Sequence, residues 1–173
     1  MFSIGDFMIY SAHGICKVDD ICEKTVSGIT KTYYVLHPID SIGHLTISSP
    51  VDNDKVAMLE LMSKEEANEL LESFQYPGVK WIENPNIRYR QYNDIVNTGN
   101  RKEIAKVVKT LMQKKLDAEL HGKKLYESDR KLLEHIQHVL FKELAISLDT
   151  TVEKVHDMVI QLVKQSAKKR VPL

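Results

Sequence analysis

The sequence has few of the residues that mark an extracellular or membrane protein. It contains only two cysteines, Cys16 and Cys22, six residues apart in a strand-like stretch. Along a continuous strand such side chains face the same side but lie too far apart for a disulfide. The chain shows neither a basic N-terminal region followed by an apolar run nor an apolar stretch of about 20 residues. We therefore expect free thiols in a soluble, cytoplasmic protein with no membrane contact.

The sequence also lacks the motifs of the commonest enzymatic chemistries. It has no GxGxxG or Walker loop, no GxSxG nucleophile elbow and no CxxC pair. His13, His37 and His44 match no compact zinc-ligand spacing with the cysteines. Glu153 and His156 have the Glu-x-x-His spacing of di-iron bundles, but those bundles need a second such pair. We expect no catalytic residues, no metal and no cofactor, and hence no enzyme.

The net charge is zero, but the two halves of the chain differ in sign. Residues 1–79 carry 5 Lys and Arg against 12 Asp and Glu, a net charge of −7. Residues 80–173 carry 19 against 12, a net charge of +7. A basic half often binds an anionic partner, although solvated helix faces of unequal charge would give the same numbers. The opposed charges suggest two different tasks.

Hydrophobic patterning divides the chain in the same way. Strand-like runs recur about every 8–12 residues and are separated by Gly14, Gly28 and Gly43, which is typical of a small barrel or strongly bent sheet. After an acidic connector at residues 50–61, the apolar residues follow a helical period. We predict an α+β fold with a β domain at residues 1–58 and an all-α bundle of about five short helices at residues 59–173. The expected N-terminal caps of these helices are Ser63, Asn100, Ser128 and Thr150.

The helix predicted to begin after Asn100 carries a regular basic stripe. Lys102, Lys106 and Lys109, spaced four and three residues apart, fall within a narrow arc opposite the apolar face. Arg101 lies at the helix N-terminus, where free amides and the helix dipole also favour phosphate. These cations can hold a nucleic-acid backbone, or they can form the ordinary solvated face of an amphipathic helix.

The segment ahead of that helix places aromatic side chains among arginines. Arg88 and Arg90 flank Tyr89, and Trp81 is the only tryptophan. Cations beside aromatic rings can pair with phosphates, stack on bases or enter a minor groove. Tyr89 can equally be a core residue, and Trp81 can plug a joint between helices. The predicted DNA-binding residues are Trp81, Arg88, Arg90, Arg101, Lys102, Lys106 and Lys109.

Short motifs follow one another in a defined order along almost the whole chain. They are FSIGDFMIY at 2–10, AHG at 12–14, YYVL at 33–36, LTISSP at 45–50, RYR at 88–90, TGN at 98–100, VVKTL at 107–111, SD at 128–129 and LA at 144–145. In this order and spacing they resemble the CarD family of bacterial transcription regulators, also called CdnL.

The resemblance implies a Tudor-like N-terminal domain that binds the β subunit of RNA polymerase, similar to a module of the transcription-repair coupling factor. It also implies a helical C-terminal domain that contacts promoter DNA at the upstream edge of the melted bubble. Such a protein stabilises the open complex without catalysis, partly by a tryptophan wedged into the minor groove. The expected partners are polymerase and promoter DNA, bound largely without reading sequence, by a monomer at the nucleoid.

Two positions depart from the family pattern. The family's wedge tryptophan corresponds to a position near Pro85, so Trp81 lies four residues earlier and either serves from a shifted loop or is structural. A basic residue of the family's L-T-φ-R-φ-P strand is Ser48 here, while Lys24 keeps a second basic contact. The residues that the resemblance assigns to polymerase binding are Lys24, Tyr34, Ile47 and Ser48. The alternative for the whole chain is a protein–protein adaptor whose basic half binds an acidic protein.

Overall fold

A computed structural model describes residues 1–10 and 13–169, so Ala12 of the second motif lies outside the described residues. The chain divides into two compact units, Met1–Leu61 and Met62–Leu173. The first unit contains strands and the second contains helices, which confirms the predicted α+β fold. In the described part of the chain, no helix is long and apolar enough to cross a membrane.

The first unit is a five-stranded antiparallel sheet in the order β4-β3-β2-β1-β5. Its strands are β1 (Phe7–Tyr10), β2 (Gly14–Val26), β3 (Ile29–Pro38), β4 (Ile47–Pro50) and β5 (Met58–Glu60). The turn between β2 and β3 is Ser27-Gly28, and both residues have positive φ, 52° and 79°, as a tight hairpin turn requires. The sequence predicts a connector where β5 lies, because three residues are too few for a periodic pattern. The first unit therefore ends near residue 61, beyond the predicted residue 58.

A register shift in β2 changes which of its residues face the core. The shift lies between Val18 and Asp20. Ahead of it Cys16 is buried in the core, whereas beyond it Cys22 lies opposite Tyr33 on the other face of the sheet. The prediction that both cysteines face the same side is wrong, because one extra residue reverses the alternation. Burial also raises the pKa of the Cys16 thiol to about 11.

The second unit contains five α-helices and one 3-10 helix within the described residues. They are α1 (Lys64–Glu72), the 3-10 helix Ser73–Gln75, α2 (Pro85–Asn97), α3 (Arg101–Leu120), α4 (Glu127–Ser147) and α5 (Val152–Lys168). The helices α3 and α4 have 20 and 21 residues, so they are longer than the short helices predicted.

Two of the four predicted helix caps are correct. Ser63 forms a capping box with Glu66, and the Asn100 side chain accepts a hydrogen bond from the backbone of Glu103. The other two predictions are wrong by one or two residues. Tyr126 precedes α4, so Ser128 lies inside its first turn, and Thr151 rather than Thr150 caps α5.

The helix α3 is central to the second unit, where it contacts the other four α-helices and the 3-10 helix. The segment between the 3-10 helix and α2 lies directly on it at Gly78. The backbone amide of Val79 donates to the carbonyl of Lys106 (3.3 Å), and Thr110 Oγ1 donates to the carbonyl of Val79 (2.8 Å). A Cβ atom on Gly78 would lie 2.2 Å from Thr110 Oγ1 and 2.6 Å from the Lys106 carbonyl oxygen. The backbone oxygen cannot rotate away, so the position requires glycine.

Replacing Gly78 by alanine should therefore destabilise the second unit by about 1–3 kcal/mol, as other overpacked sites do. Thermal unfolding followed by circular dichroism measures this loss. The neighbouring exposed residue Gln75 supplies the control, since Gln75→Ala should change stability by less than about 0.5 kcal/mol. Equal midpoints for the two variants would contradict the close approach.

Candidate nucleic-acid interface

A buried ion pair between Arg88 and Asp129 joins α2 to α4. The two side chains are 3% and 0% exposed. Arg88 Nε lies 2.9 Å and 3.1 Å from the two carboxylate oxygens of Asp129, and Nη2 lies 2.5 Å from Oδ2. Arg88 Nη1 donates to the carbonyls of Ile82 (2.6 Å) and Glu83 (3.2 Å). Arg88 is thus a buried structural residue in this conformation, although its place in the sequence suggests an exposed cation.

The start of α2 sets the direction of the Arg88 side chain. Asn84 caps the helix, and its side-chain oxygen accepts hydrogen bonds from the amides of Asn86 (3.0 Å) and Ile87 (3.1 Å). Pro85 occupies the first turn, where its restricted φ suits a helix and its missing N–H costs nothing. This fixed entry brings the segment at residues 81–83 beside the first turn of α2.

Trp81 stacks on this ion pair. The Cζ atom of Arg88 lies 4.0 Å from the centroid of the indole ring, and Lys114 Nζ lies 4.7 Å from it. Each such cation–π contact contributes about 0.5–2 kcal/mol. The indole is half-buried and packs against the core of the second unit. The indole therefore helps to hold the segment ahead of α2 against the helices of the second unit.

Trp81 also lines a cleft of about 570 Å³ in the second unit. Residues ahead of α2, at the end of α3 and at the start of α4 form its walls. They include Pro85, the position expected for the family's wedge, and the exposed Tyr126. Other lining residues that sequence reasoning missed are Lys114, His121, Lys123, Lys124 and Leu125. The only signal for them is the pair of lysines after Gly122.

The predicted basic stripe of α3 is broken by the packing of that helix. Lys102 and Lys106 are exposed, but Lys109 is only 2% exposed. Its Nζ donates to the carbonyl of Phe74 (2.5 Å) and to Oγ of Ser166. The prediction that Lys109 faces solvent is wrong, because α5 and the 3-10 helix cover that part of α3.

Arg101 is likewise engaged by another helix. Its Nη2 lies 2.7 Å from Oε1 of Glu143 and its Nε lies 3.0 Å from Oε2. Glu143 is buried and also accepts a hydrogen bond from the amide of Met62 (2.9 Å). Lys106 pairs with Glu103 at 2.7 Å, but this exposed pair is weak enough to exchange for a phosphate. The exposed cations among the predicted residues are Arg90, Lys102 and Lys106.

Two residues expected to bind polymerase meet on the sheet. Lys24 Nζ donates to Ser48 Oγ at 2.6 Å, and the same ammonium lies 5.9 Å from the centroid of Tyr33. Tyr33 and Val35 alternate with the buried Tyr34 and Leu36, so they lie on the face opposite the core. We call the surface formed by Lys24, Tyr33, Val35 and Ser48 the outer sheet face.

The other two expected polymerase contacts serve the core of the first unit. Tyr34 is 3% exposed, its hydroxyl accepts a hydrogen bond from the amide of Phe2 (3.1 Å), and the two rings meet edge to face. Ile47 is half-buried against the same core. The prediction that Tyr34 lies on the binding surface is therefore wrong: the alternation in YYVL puts one tyrosine on each face, and the outer one is Tyr33.

Metal-binding geometry does not occur in residues 1–10 and 13–169, which contain no group of three His, Cys, Asp or Glu side chains placed to hold an ion. His37 Nδ1 instead contacts the carboxylate of Asp19 across β2 and β3. Cys16 and Cys22 are free thiols.

Arg88 and Arg90, two residues apart on α2, allow a matched test of the buried pair. Arg88→Ala should destabilise the protein by about 3–5 kcal/mol, because it leaves Asp129 buried and unpaired. Arg90→Ala should cost less than about 0.5 kcal/mol, since Arg90 is exposed. Denaturant unfolding followed by the emission of Trp81, the only tryptophan, measures both. Similar losses in the two variants would contradict the assignment.

Comparison with known proteins gives matches to both units. Residues 2–63 match the CarD-like/TRCF RID domain, and residues 69–160 match the CarD C-terminal domain. The chain is 27% identical over 156 residues to "Putative transcription factor YdeB" of Bacillus subtilis (strain 168). That alignment covers 90% of this chain and 97% of the relative. With the sheet and the helices each matched in order, the chain belongs to the CarD family and is a transcription regulator.

Proposed function

We propose that the protein binds the β subunit of RNA polymerase through its sheet unit and promoter DNA through its helical unit, and so stabilises the open promoter complex. The observation that carries this proposal is the set of exposed cations Arg90, Lys102 and Lys106, in the unit that matches the CarD C-terminal domain. The net charge of +7 from residue 80 onwards supports an anionic partner.

The N-terminus of α3 is the centre of the proposed DNA contact. Lys102 lies in its first turn, where backbone amides and the helix dipole also attract phosphate. The positive potential there already acts on a neighbouring carboxylate: the pKa of Glu66 is lowered by hydrogen bonds from Ser63 and further by the charges of Arg101 and Lys102. Contacts of this kind position a protein on the DNA backbone without reading its sequence.

The buried cations have a different part in the proposal. Arg88, Arg101 and Lys109 hold α2, α4, α5 and the 3-10 helix around α3, and so fix the directions in which the exposed cations point. Trp81 lies against the DNA from the cleft, beside the Pro85 position at which the family's wedge is expected. The guanidinium of Arg88, which stacks on the indole, orients the Trp81 ring.

The outer sheet face is the proposed polymerase contact. The match to the RID domain indicates an interaction with RNA polymerase in general. Lys24 and Ser48 form a polar centre beside the half-buried ring of Tyr33 and the methyl groups of Val35. The neighbouring strand β4 is an edge strand, whose outer backbone groups can pair with a strand of a partner.

Binding to polymerase raises the local concentration of promoter DNA, so that weak contacts to the DNA backbone suffice. The protein would then act as a monomer at the nucleoid.

The DNA contact is tested by the double variant Lys102→Glu/Lys106→Glu. Its affinity for a labelled duplex should fall by more than about tenfold at low salt. The slope of log affinity against log salt should become less negative by about 1.8, or 0.9 for each phosphate contact that is lost. Fluorescence anisotropy at several salt concentrations measures both quantities.

Two exposed lysines of α5, Lys154 and Lys164, provide the control with the same change in net charge. Lys154→Glu/Lys164→Glu should keep most of the duplex affinity. An equal loss in both double variants would mean that only net charge matters. Unchanged binding in Lys102→Glu/Lys106→Glu would favour an acidic protein as the partner.

The polymerase contact is tested by Lys24→Glu in the full chain. The variant should lose at least about 90% of the retained β subunit in a pull-down, since it places a carboxylate at the centre of the outer sheet face, where a buried charge costs several kcal/mol. Lys55→Glu, at an exposed position between β4 and β5, is the control with the same charge change. Full retention by Lys24→Glu would rule out this face.

A further inference from the structure

We propose that a groove between the end of α1 and the middle of α5 binds a basic amphipathic helix of another protein. Apolar side chains of that helix enter the groove, and its lysines or arginines pair with carboxylates on the rim. This surface is additional to the proposed DNA and polymerase contacts, and the inference depends on neither of them. The residues that line the groove are Leu71, Glu72, Asp157, Met158, Gln161 and Leu162.

The apolar part of the groove comes from both helices. Leu71 and Leu162 are half-buried against the core of the second unit, and each also lines the groove. Met158 is 36% exposed and contributes its side chain to the groove. Single exposed apolar residues are ordinary on a protein surface, but several that converge on one concave site indicate a binding surface.

The helix α5 has a wider apolar face than its packing requires. Val155, Val159 and Val163 recur at the helical period and are completely buried. Met158 and Leu162 lie one turn apart on the flank of that face, where they line the groove beside α1. Side chains one turn apart form a ridge, and the ridges of an approaching helix pack beside it.

The groove suits a helix better than a small ligand. Its volume is about 440 Å³, and its polar lining residues Glu72, Asp157 and Gln161 are all exposed. Small-ligand sites usually place a few polar groups to fix the orientation of the ligand, and these described residues offer no buried one. The flexible thioether of Met158 adapts to apolar side chains of different shape. These features are typical of recognition of a helix in a groove.

The charges on the rim favour a basic partner. Glu72 on α1 and Asp157 on α5 are the charged residues among those that line the groove. Within residues 13–169, neither carboxylate forms an ion pair. Lys154, one turn ahead of Met158, does not line the groove. A lysine or arginine of a partner helix can therefore pair with each carboxylate, whereas the phosphates of a nucleic acid are repelled.

The same charges argue against a second copy of this chain as the partner. A two-fold dimer brings the same surface patch of both copies together. Glu72 and Asp157 of one copy would then lie against the same carboxylates of the other, and such like charges oppose association. The partner is therefore a different protein, whose helix carries the opposite charge.

The test uses the full chain and a synthetic helix of leucine and lysine, about four turns long, with titration calorimetry as the measurement. Glu72→Lys/Asp157→Lys should weaken binding of this peptide by at least about tenfold, because it replaces attraction by repulsion. A peptide with glutamate in place of lysine should bind the parent protein far more weakly. It should bind the double variant more tightly than it binds the parent.

Two exposed carboxylates on other helices provide the control with the same change in net charge. They are Asp94 on α2 and Glu119 on α3, and neither lines the groove. Asp94→Lys/Glu119→Lys should bind the leucine–lysine peptide within about twofold of the parent protein, since exposed charges farther away than about 8–10 Å are largely screened at physiological salt.

The methyl group of Met158 reports directly on whether the groove is occupied. The chain contains six methionines, and Met158→Gln identifies the signal of this residue in methyl NMR spectra. The leucine–lysine peptide should shift that signal. Met158→Gln should weaken peptide binding by about fourfold or more, the equivalent of at least one buried methylene. Leu120→Gln, at a residue that is 82% exposed at the end of α3, should bind like the parent protein.

The proposal is overturned if the peptide leaves the Met158 signal unchanged, if both charge-reversal pairs lose the same affinity, or if the glutamate peptide binds the parent protein equally well. A Met158 signal that shifts with protein concentration in the absence of peptide would assign the groove to a second copy of the chain, which also overturns it.

Discussion

The buried pair Arg88–Asp129 is the interaction on which the surface of the helical unit depends. It joins α2 to α4. Arg88 also donates hydrogen bonds to the carbonyls of Ile82 and Glu83 and stacks on the ring of Trp81. Desolvating both charges is costly, and losing either partner would leave the other uncompensated in the core. Because the cleft and the exposed Arg90 lie on the elements that this pair connects, a structural ion pair sets the geometry of the proposed DNA surface.

The sequence predicted correctly the features that depend on residues close together in the chain. The alternation in residues 7–10 and 33–36 predicted strands, the helical period after Ser63 predicted the bundle, and the caps at Ser63 and Asn100 were correct. It failed where structure depends on distant residues. Arg88 is buried by a carboxylate 41 residues later, and Lys109 by a hydroxyl 57 residues later. Helical periodicity alone assigns such lysines and arginines to solvent.

The candidate sites show the same division. Period-two alternation places Tyr33 and Tyr34 on opposite faces, but only the sheet shows that Tyr34 is the core residue. A one-residue bulge in β2 moves Cys22 away from the face of Cys16, and no local pattern marks it. The Trp81 cleft draws on three separate stretches of the chain, so its lysines and Tyr126 had no common signal in the sequence.

In the proposed function the two units have different tasks. A surface of the sheet unit tethers the protein to polymerase, and the cationic surface of the helical unit holds promoter DNA beside the melted segment. The most direct test is the lifetime of the open complex on a promoter whose melted bubble is unstable. It is measured with purified polymerase after a competitor is added, with and without the protein. The account predicts a longer lifetime with the protein, and no lengthening with Lys24→Glu or Lys102→Glu/Lys106→Glu. A lifetime that the parent protein leaves unchanged would contradict it.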